Sequence, residues 1–199
     1  MKSSLDSPVH AALIGGVIGA VILVGWLVGS GIDGLGFASM LARVVHVLAA
    51  VLWVGMIWFV NFVQLGAVAA TDDAGRAALM QHVVPRVAAI YRHASHLTLA
   101  SGIALLVTSG YMLERWVFKS AVYIPPLKFA MLYGAIAGAI VMWVLVHFVI
   151  WPSLRIILGE VAGDAEVKLR ARARIRLAAR INLILALPVT CIMVAVAHG

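Results

Sequence analysis

The chain has 199 residues, 64% of them hydrophobic and 12% charged, about half the roughly 25% charged fraction of a soluble domain. Its mean hydropathy is strongly positive, which excludes a soluble globular fold and predicts an integral membrane protein. The formal net charge of +7 would suit nucleic acid, but seven of the fifteen Lys and Arg residues lie between Arg155 and Arg180, a clustering that points to a membrane surface and not to a nucleic-acid partner.

Five apolar stretches are each long enough to cross about 30 Å of hydrocarbon; they lie near residues 10–30, 40–68, 83–113, 126–151 and 178–198. The first is predicted to be a retained helix, because its run from Ala11 to Gly29 exceeds the apolar core of a signal peptide. The second begins near Arg43, which places His46 about 5 Å inside the membrane edge at the helical rise. The third opens with YRHASHLTLASGI (91–103), and its Ser95, Ser101, Gly102, Ser109 and Gly110 are small residues suited to close approach.

Between Leu113 and Lys128, the residues Trp116, Phe118 and Tyr123 mix with charges and Pro125-Pro126, a composition suited to an interfacial segment with Pro126 just ahead of helix four. Helix four carries Gly134 and Gly138 at GxxxG spacing. The segment GDAEVKLRARARIRLAAR (163–180) is rich in helix formers and is predicted to extend helix five into the cytoplasm. Cys191 is the only cysteine, so neither an intrachain disulfide nor a thiolate metal cluster can form.

Summed over alternate loops, eleven Lys and Arg fall on one side, including Lys2 and the RARARIR run, and four (Arg43, Arg115, Lys119 and Lys128) on the other. The positive-inside rule then puts the N-terminus in the cytoplasm and the C-terminus outside. The predicted fold is an all-α, single-domain bundle of five transmembrane helices over residues 1–199, multi-pass in a bacterial inner membrane.

Imidazoles within membrane helices are costly and point to function. His96 lies 18 residues and His93 21 residues before Glu114, and His147 lies 19 residues after Lys128, so all three sit roughly 27–32 Å from the outer edge. A b-type heme needs two imidazoles at one depth on neighbouring helices; His147 with His96 or His93 meets that need, with Arg86 and Arg92 placed to pair with propionates. On this count His46 belongs to the opposite leaflet, where a second heme would require His198. The plainer reading of each histidine is an interfacial side chain or a cross-helix hydrogen bond.

Four segments, ARVVHVLAAVLWVGMIWFVNFVQ (42–64), VVPRVAAIYR (83–92), VIWPSLRIIL (149–158) and ARINLILALPVTCIM (179–193), resemble the membrane domain of bacterial urate hydroxylases, which are cytochrome-c-linked. The likeness is strongest at His46 with Trp53-Val54-Gly55, at Ile150-Trp151-Pro152, and at Arg180, Asn182 and Pro188. It implies a helical membrane domain and an oxidase passing electrons to cytochrome c, here a separate protein because the sequence holds no CxxCH. Where that family favours tryptophan at the start of helix three and Asn-x-Trp before Ile-Trp-Pro, this chain has His93, Leu145 and His147.

The expected function is a b-type cytochrome subunit carrying electrons between a redox partner and a quinone or cytochrome c. One heme b, or two, is its expected cofactor. Two alternatives stand beside it: a urate-hydroxylase-like oxidase using an external cytochrome c, and a heme-free anchoring subunit of a respiratory complex. The expected partners are the lipid bilayer, cytochrome c or another redox subunit, a quinone, and further subunits in a homo- or hetero-oligomer. With no Ser-His-Asp grouping and no phosphate-binding glycine loop, other chemistry has little to work with.

Overall fold

A computed structural model describes residues 7–109 and 125–198. Every described element is a helix, and no strand occurs among the described residues. Helix α1 spans Pro8–Ser30, with Pro8 in its first turn, where a missing N–H costs nothing, and Gly31 ending it in a left-handed conformation at φ 65°. The Asp33 carboxylate then accepts from the Gly36 N–H at 2.7 Å and starts helix α2, Gly34–Ala70.

At 1.5 Å per residue α2 is about 55 Å long, well beyond the thickness of a bilayer. It includes one π-helical turn, Val60–Gln64. After Asp72 caps a short helical stretch at Asp73–Ala78, a second π turn at Leu79–Val83 leads into α3, Val84–Thr108.

Helix α4, Pro126–Ile157, has a π turn at Leu145–Ile150 immediately before Trp151-Pro152. The pyrrolidine ring removes one N–H and crowds the carbonyl four residues back, and a widened turn relieves both. Gly159, at φ 81°, closes that helix. The Asp164 carboxylate accepts from the Val167 N–H at 2.8 Å and opens α5, Ala165–His198. The arginine-rich segment is therefore continuous with the last apolar helix, as its composition predicts.

Helices α1, α2, α4 and α5 are long and apolar enough to cross a membrane. Five such spans were expected. Helix α3 has the length, at 25 residues, but Arg86, Arg92, His93 and His96 lower its hydropathy, and the predicted end of this span, 110–113, lies outside the described residues. So does most of the interfacial segment predicted at Leu113–Lys128, with Trp116, Phe118 and Tyr123.

Helices α2 to α5 share one core, built from Trp53 and Ile57, Tyr91 and Ala94, Met142, Val146 and Ile150, and Ala178 and Ala186. Helix α1 contributes no buried residue. Helices α4 and α5 pack tightly at Gly138, where a Cβ would meet the Val189 side chain at 2.8 Å; its GxxxG partner Gly134 has open space around it. Thus one glycine of the pair serves helix contact.

Candidate functional site

Two groups of polar side chains lie on opposite sides of α3. The inner face of α3 holds Tyr91, Ser95, Thr98 and Ser101, all buried. Their hydroxyls are partly satisfied by their own helix: Ser95 bonds the Arg92 carbonyl at 2.8 Å and Thr98 the Ala94 carbonyl at 2.8 Å. This self-bonding lets a polar face be buried at low cost.

Against that face lies His46 of α2. Its Nδ1 is 3.0 Å from the Thr98 carbonyl oxygen and 3.3 Å from Ser101 Oγ. A carbonyl only accepts, so Nδ1 carries the proton and Nε2 holds the lone pair of the neutral ring. The ring also lies flat enough on α3 that a Cβ on Gly102 would meet its Cε1 at 3.0 Å.

This corrects the depth assigned to His46 from sequence. Arg43 does not mark an edge, because it lies inside a helix that begins at Gly34, and His46 is about 18 Å along that helix. It is level with Thr98 and Ser101, a few residues from the level of His96, and not in the opposite half of the bundle. The pairing of His46 with His198 also fails in register. The Asn182–Tyr91 hydrogen bond aligns α5 with α3, and from there His198 lies about 24 Å onward but Thr98 only about 10 Å.

Deeper in the same core, Asn182 is fully buried and donates from Nδ2 to the Tyr91 hydroxyl at 2.8 Å. Its Oδ1 and the Nε1–H of Trp53 are buried without partners. Beside them Asn61, at the π turn of α2, donates to the carbonyls of Ile57 (2.8 Å) and Ala179 (3.2 Å) and accepts from Arg180 at 3.2 Å. Trp53, Arg180 and Asn182 carry the family resemblance. Tyr91, which accepts from Asn182, was not picked out by sequence reasoning because nothing local marks it.

On the outer side of α3, the predicted depth match between His96 and His147 brings the two together: their ring centroids are 4.0 Å apart. Trp143 ties them. Its Nε1–H donates to His96 Nδ1 at 3.2 Å, its carbonyl oxygen accepts from His147 Nδ1 at 2.8 Å, and its ring stacks on His147 at 4.5 Å. His93 is exposed and outside this cluster, as is Arg86. Arg92 lies over the Trp151 ring at 4.0 Å, a cation–π contact.

These contacts test the fit of a heme. Rings whose centroids are 4.0 Å apart are in van der Waals contact, which leaves no space for a macrocycle between His96 and His147. The tautomers agree: Trp143 occupies the lone pair of His96 Nδ1, so the neutral ring carries its proton on Nε2 and offers iron no ligand atom. Nδ1–H bonded to a carbonyl with Nε2 left as ligand is the usual arrangement of a metal-bound histidine; His46 and His147 both have it, but His147 Nε2 is buried with the ring packed on His96, which leaves His46 as the histidine that fits one axial position.

Among the described residues no three His, Cys, Asp or Glu side chains gather into a metal site. An apolar cavity of about 170 Å³ lies between the end of α2 and the π turn at Leu79–Val83. It is away from the histidines and smaller than the roughly 300–1,000 Å³ of ligand pockets.

No family model, no curated protein and no solved structure matches this chain.

Proposed function

We propose that the protein is a membrane-embedded electron-transfer subunit that holds a b-type heme through His46. The supporting observation is the His46 imidazole, oriented by its Nδ1 hydrogen bond to the Thr98 carbonyl and backed by Gly102, with Nε2 left as the ligand atom. Thr98 fixes the tautomer and the ring plane. The Ser101 hydroxyl at 3.3 Å limits rotation, and the glycine lets the ring lie close to α3. The heme would supply one-electron transfer to a quinone or cytochrome c.

In this reading the chain crosses a bacterial inner membrane five times, with α3 as the most polar span. The arginines at the start of α5 face anionic lipid in the cytoplasm, and the C-terminus lies outside. A pyridine hemochrome spectrum with a heme-to-protein ratio tests it. His46→Ala is expected to lose the Soret band while His96→Ala and His147→Ala keep it; equal heme in all three would refute the assignment.

The oxidase alternative draws support from a different observation. The residues of the urate-hydroxylase resemblance converge on a buried donor, Trp53 Nε1–H, and a buried acceptor, Asn182 Oδ1, both without partners. Urate-dependent reduction of added cytochrome c would favour it, and its absence in protein that carries heme would remove it.

A further inference from the structure

Helix α5 is longer than a bilayer requires. Residues 181–198 carry no Asp, Glu, Lys or Arg and rise about 27 Å, nearly the whole ~30 Å of hydrocarbon. The same helix runs back through residues 165–180 for about 24 Å more, whereas a headgroup layer is only about 5–8 Å deep. Arg176 and Arg180 fall within that layer and face lipid phosphates. Arg174, Arg172 and Arg170 stand beyond it, as does Leu169, which lies 12 residues, about 18 Å, before Ile181.

One side of this extension is spent on the bundle: Ala171 and Ala178 are buried, and Ile175 packs against the core. On the opposite side Leu169 and Leu177 are 63% and 65% exposed, with exposed Ala173 between them. At four-residue spacing these three form a single row. Arg172 and Arg176 run along one edge of the row and Arg170 and Arg174 along the other, all exposed. Arg170 pairs with Glu166 at 3.3 Å, but Arg172, Arg174 and Arg176 have no acidic partner among the described residues.

An apolar row with charge along both edges is the pattern of a helix–helix seam. The charges decide what can lie on it. A second copy would set arginine against arginine along both edges, whichever way the two helices ran. Lipid phosphates answer Arg176 and Arg180, but the row continues about 10 Å past them into water. A nucleic-acid backbone would meet the arginines and leave both leucines uncovered. We infer that this face docks an amphipathic helix of a partner protein, one whose apolar stripe is bordered by Asp or Glu. The surface needs neither heme nor a particular orientation in the membrane, only that residues 165–180 project from it.

The test is fluorescence anisotropy with the full chain in phosphatidylcholine nanodiscs. The probe is a fluorescein-labelled three-heptad peptide with Leu at the a and d positions and Glu at e and g. Its binding is expected to be at least tenfold tighter than that of a scrambled peptide of the same composition, and to vanish when Lys replaces Glu. Leu169→Ser/Leu177→Ser is expected to weaken it at least tenfold and Arg172→Gln severalfold. These side chains are exposed, so thermal midpoints are expected to stay at the wild-type value, and the peptide comparisons need no variant at all.

Equal binding of the ordered and scrambled peptides, or no loss in the leucine variant, overturns the surface. So does a dimer of this chain that Leu169→Ser/Leu177→Ser dissociates, or a single-stranded DNA that binds as tightly as the peptide. Position is read separately from a spin label at Leu169→Cys in a Cys191→Ala background. The label is expected to be relaxed by a water-soluble nickel chelate more than by oxygen; the reverse would place the row in lipid and remove the partner.

Discussion

Asn182 on α5 donates a 2.8 Å hydrogen bond to the hydroxyl of Tyr91 on α3, with both residues in the core. A bond between residues 91 positions apart locks the rotation and register of two helices at once. It also leaves both groups dependent on each other, because neither can reach water if the other is lost.

Tyr91→Phe is expected to cost about 1–3 kcal/mol, since it strands the Asn182 amide without an acceptor. Asn182→Leu strands the hydroxyl at similar cost. The double variant is expected to lose less than the sum, a coupling of about 1 kcal/mol or more, because no buried polar group is then left over. Thermal unfolding of the four proteins in one detergent measures it, and strict additivity would show that the bond carries no energy.

Gly138 faces Val189 across the α4–α5 contact. A Cβ at 2.8 Å from the valine methyl forces a shift, so Gly138→Ala is expected to destabilise by about 1–3 kcal/mol. Shortening the opposing side chain in Gly138→Ala/Val189→Ala is expected to recover part of the loss. Gly134→Ala, where the space is open, is expected to be neutral or slightly stabilising in a helix. Midpoints from the same thermal assay separate the two glycines.

Gly102 and His46 make a similar contact, but with a site at stake. Gly102→Val is expected to push the His46 ring off α3, break its bond to the Thr98 carbonyl, and lower heme content by a fold similar to His46→Ala, with the helices still formed by circular dichroism. Gly102→Ala needs only a few tenths of an ångström from the ring and is expected to have a smaller effect. Heme stoichiometry in the three variants is the readout.

Orientation in the membrane can be read from reporters fused after His198. Alkaline phosphatase is expected to be active there and green fluorescent protein dark, as the basic run at the start of α5 directs. Replacing Arg172, Arg174 and Arg176 by Gln is expected to weaken that bias and yield mixed topology. Wild-type fusions with the opposite pattern would reverse the assignment.

Much of the fold was legible because its signals are local. Asp33, Asp72 and Asp164 each cap a helix by bonding an N–H three residues ahead, and apolar runs of spanning length need no partner to be recognised. The error at His46 has a local cause too. Charge is costly in lipid, so Arg43 reads locally as a membrane edge, yet the helix had already started at Asp33, and the contacts of His46 with Thr98 and Ser101 fix its level from a second helix.

Composition and spacing by themselves determined that this chain is helical, where most of its apolar helices run, and that His96 and His147 share a depth. Hydrophobic length and helical rise are properties of single segments. Only the tertiary structure decided that α1 stands outside the core, that Tyr91 joins Asn182, and that Trp143 sets the tautomers of two touching histidines while Thr98 sets that of His46. Each depends on the rotation of one helix against another, and that angle emerges only when side chains from several helices fill one core together.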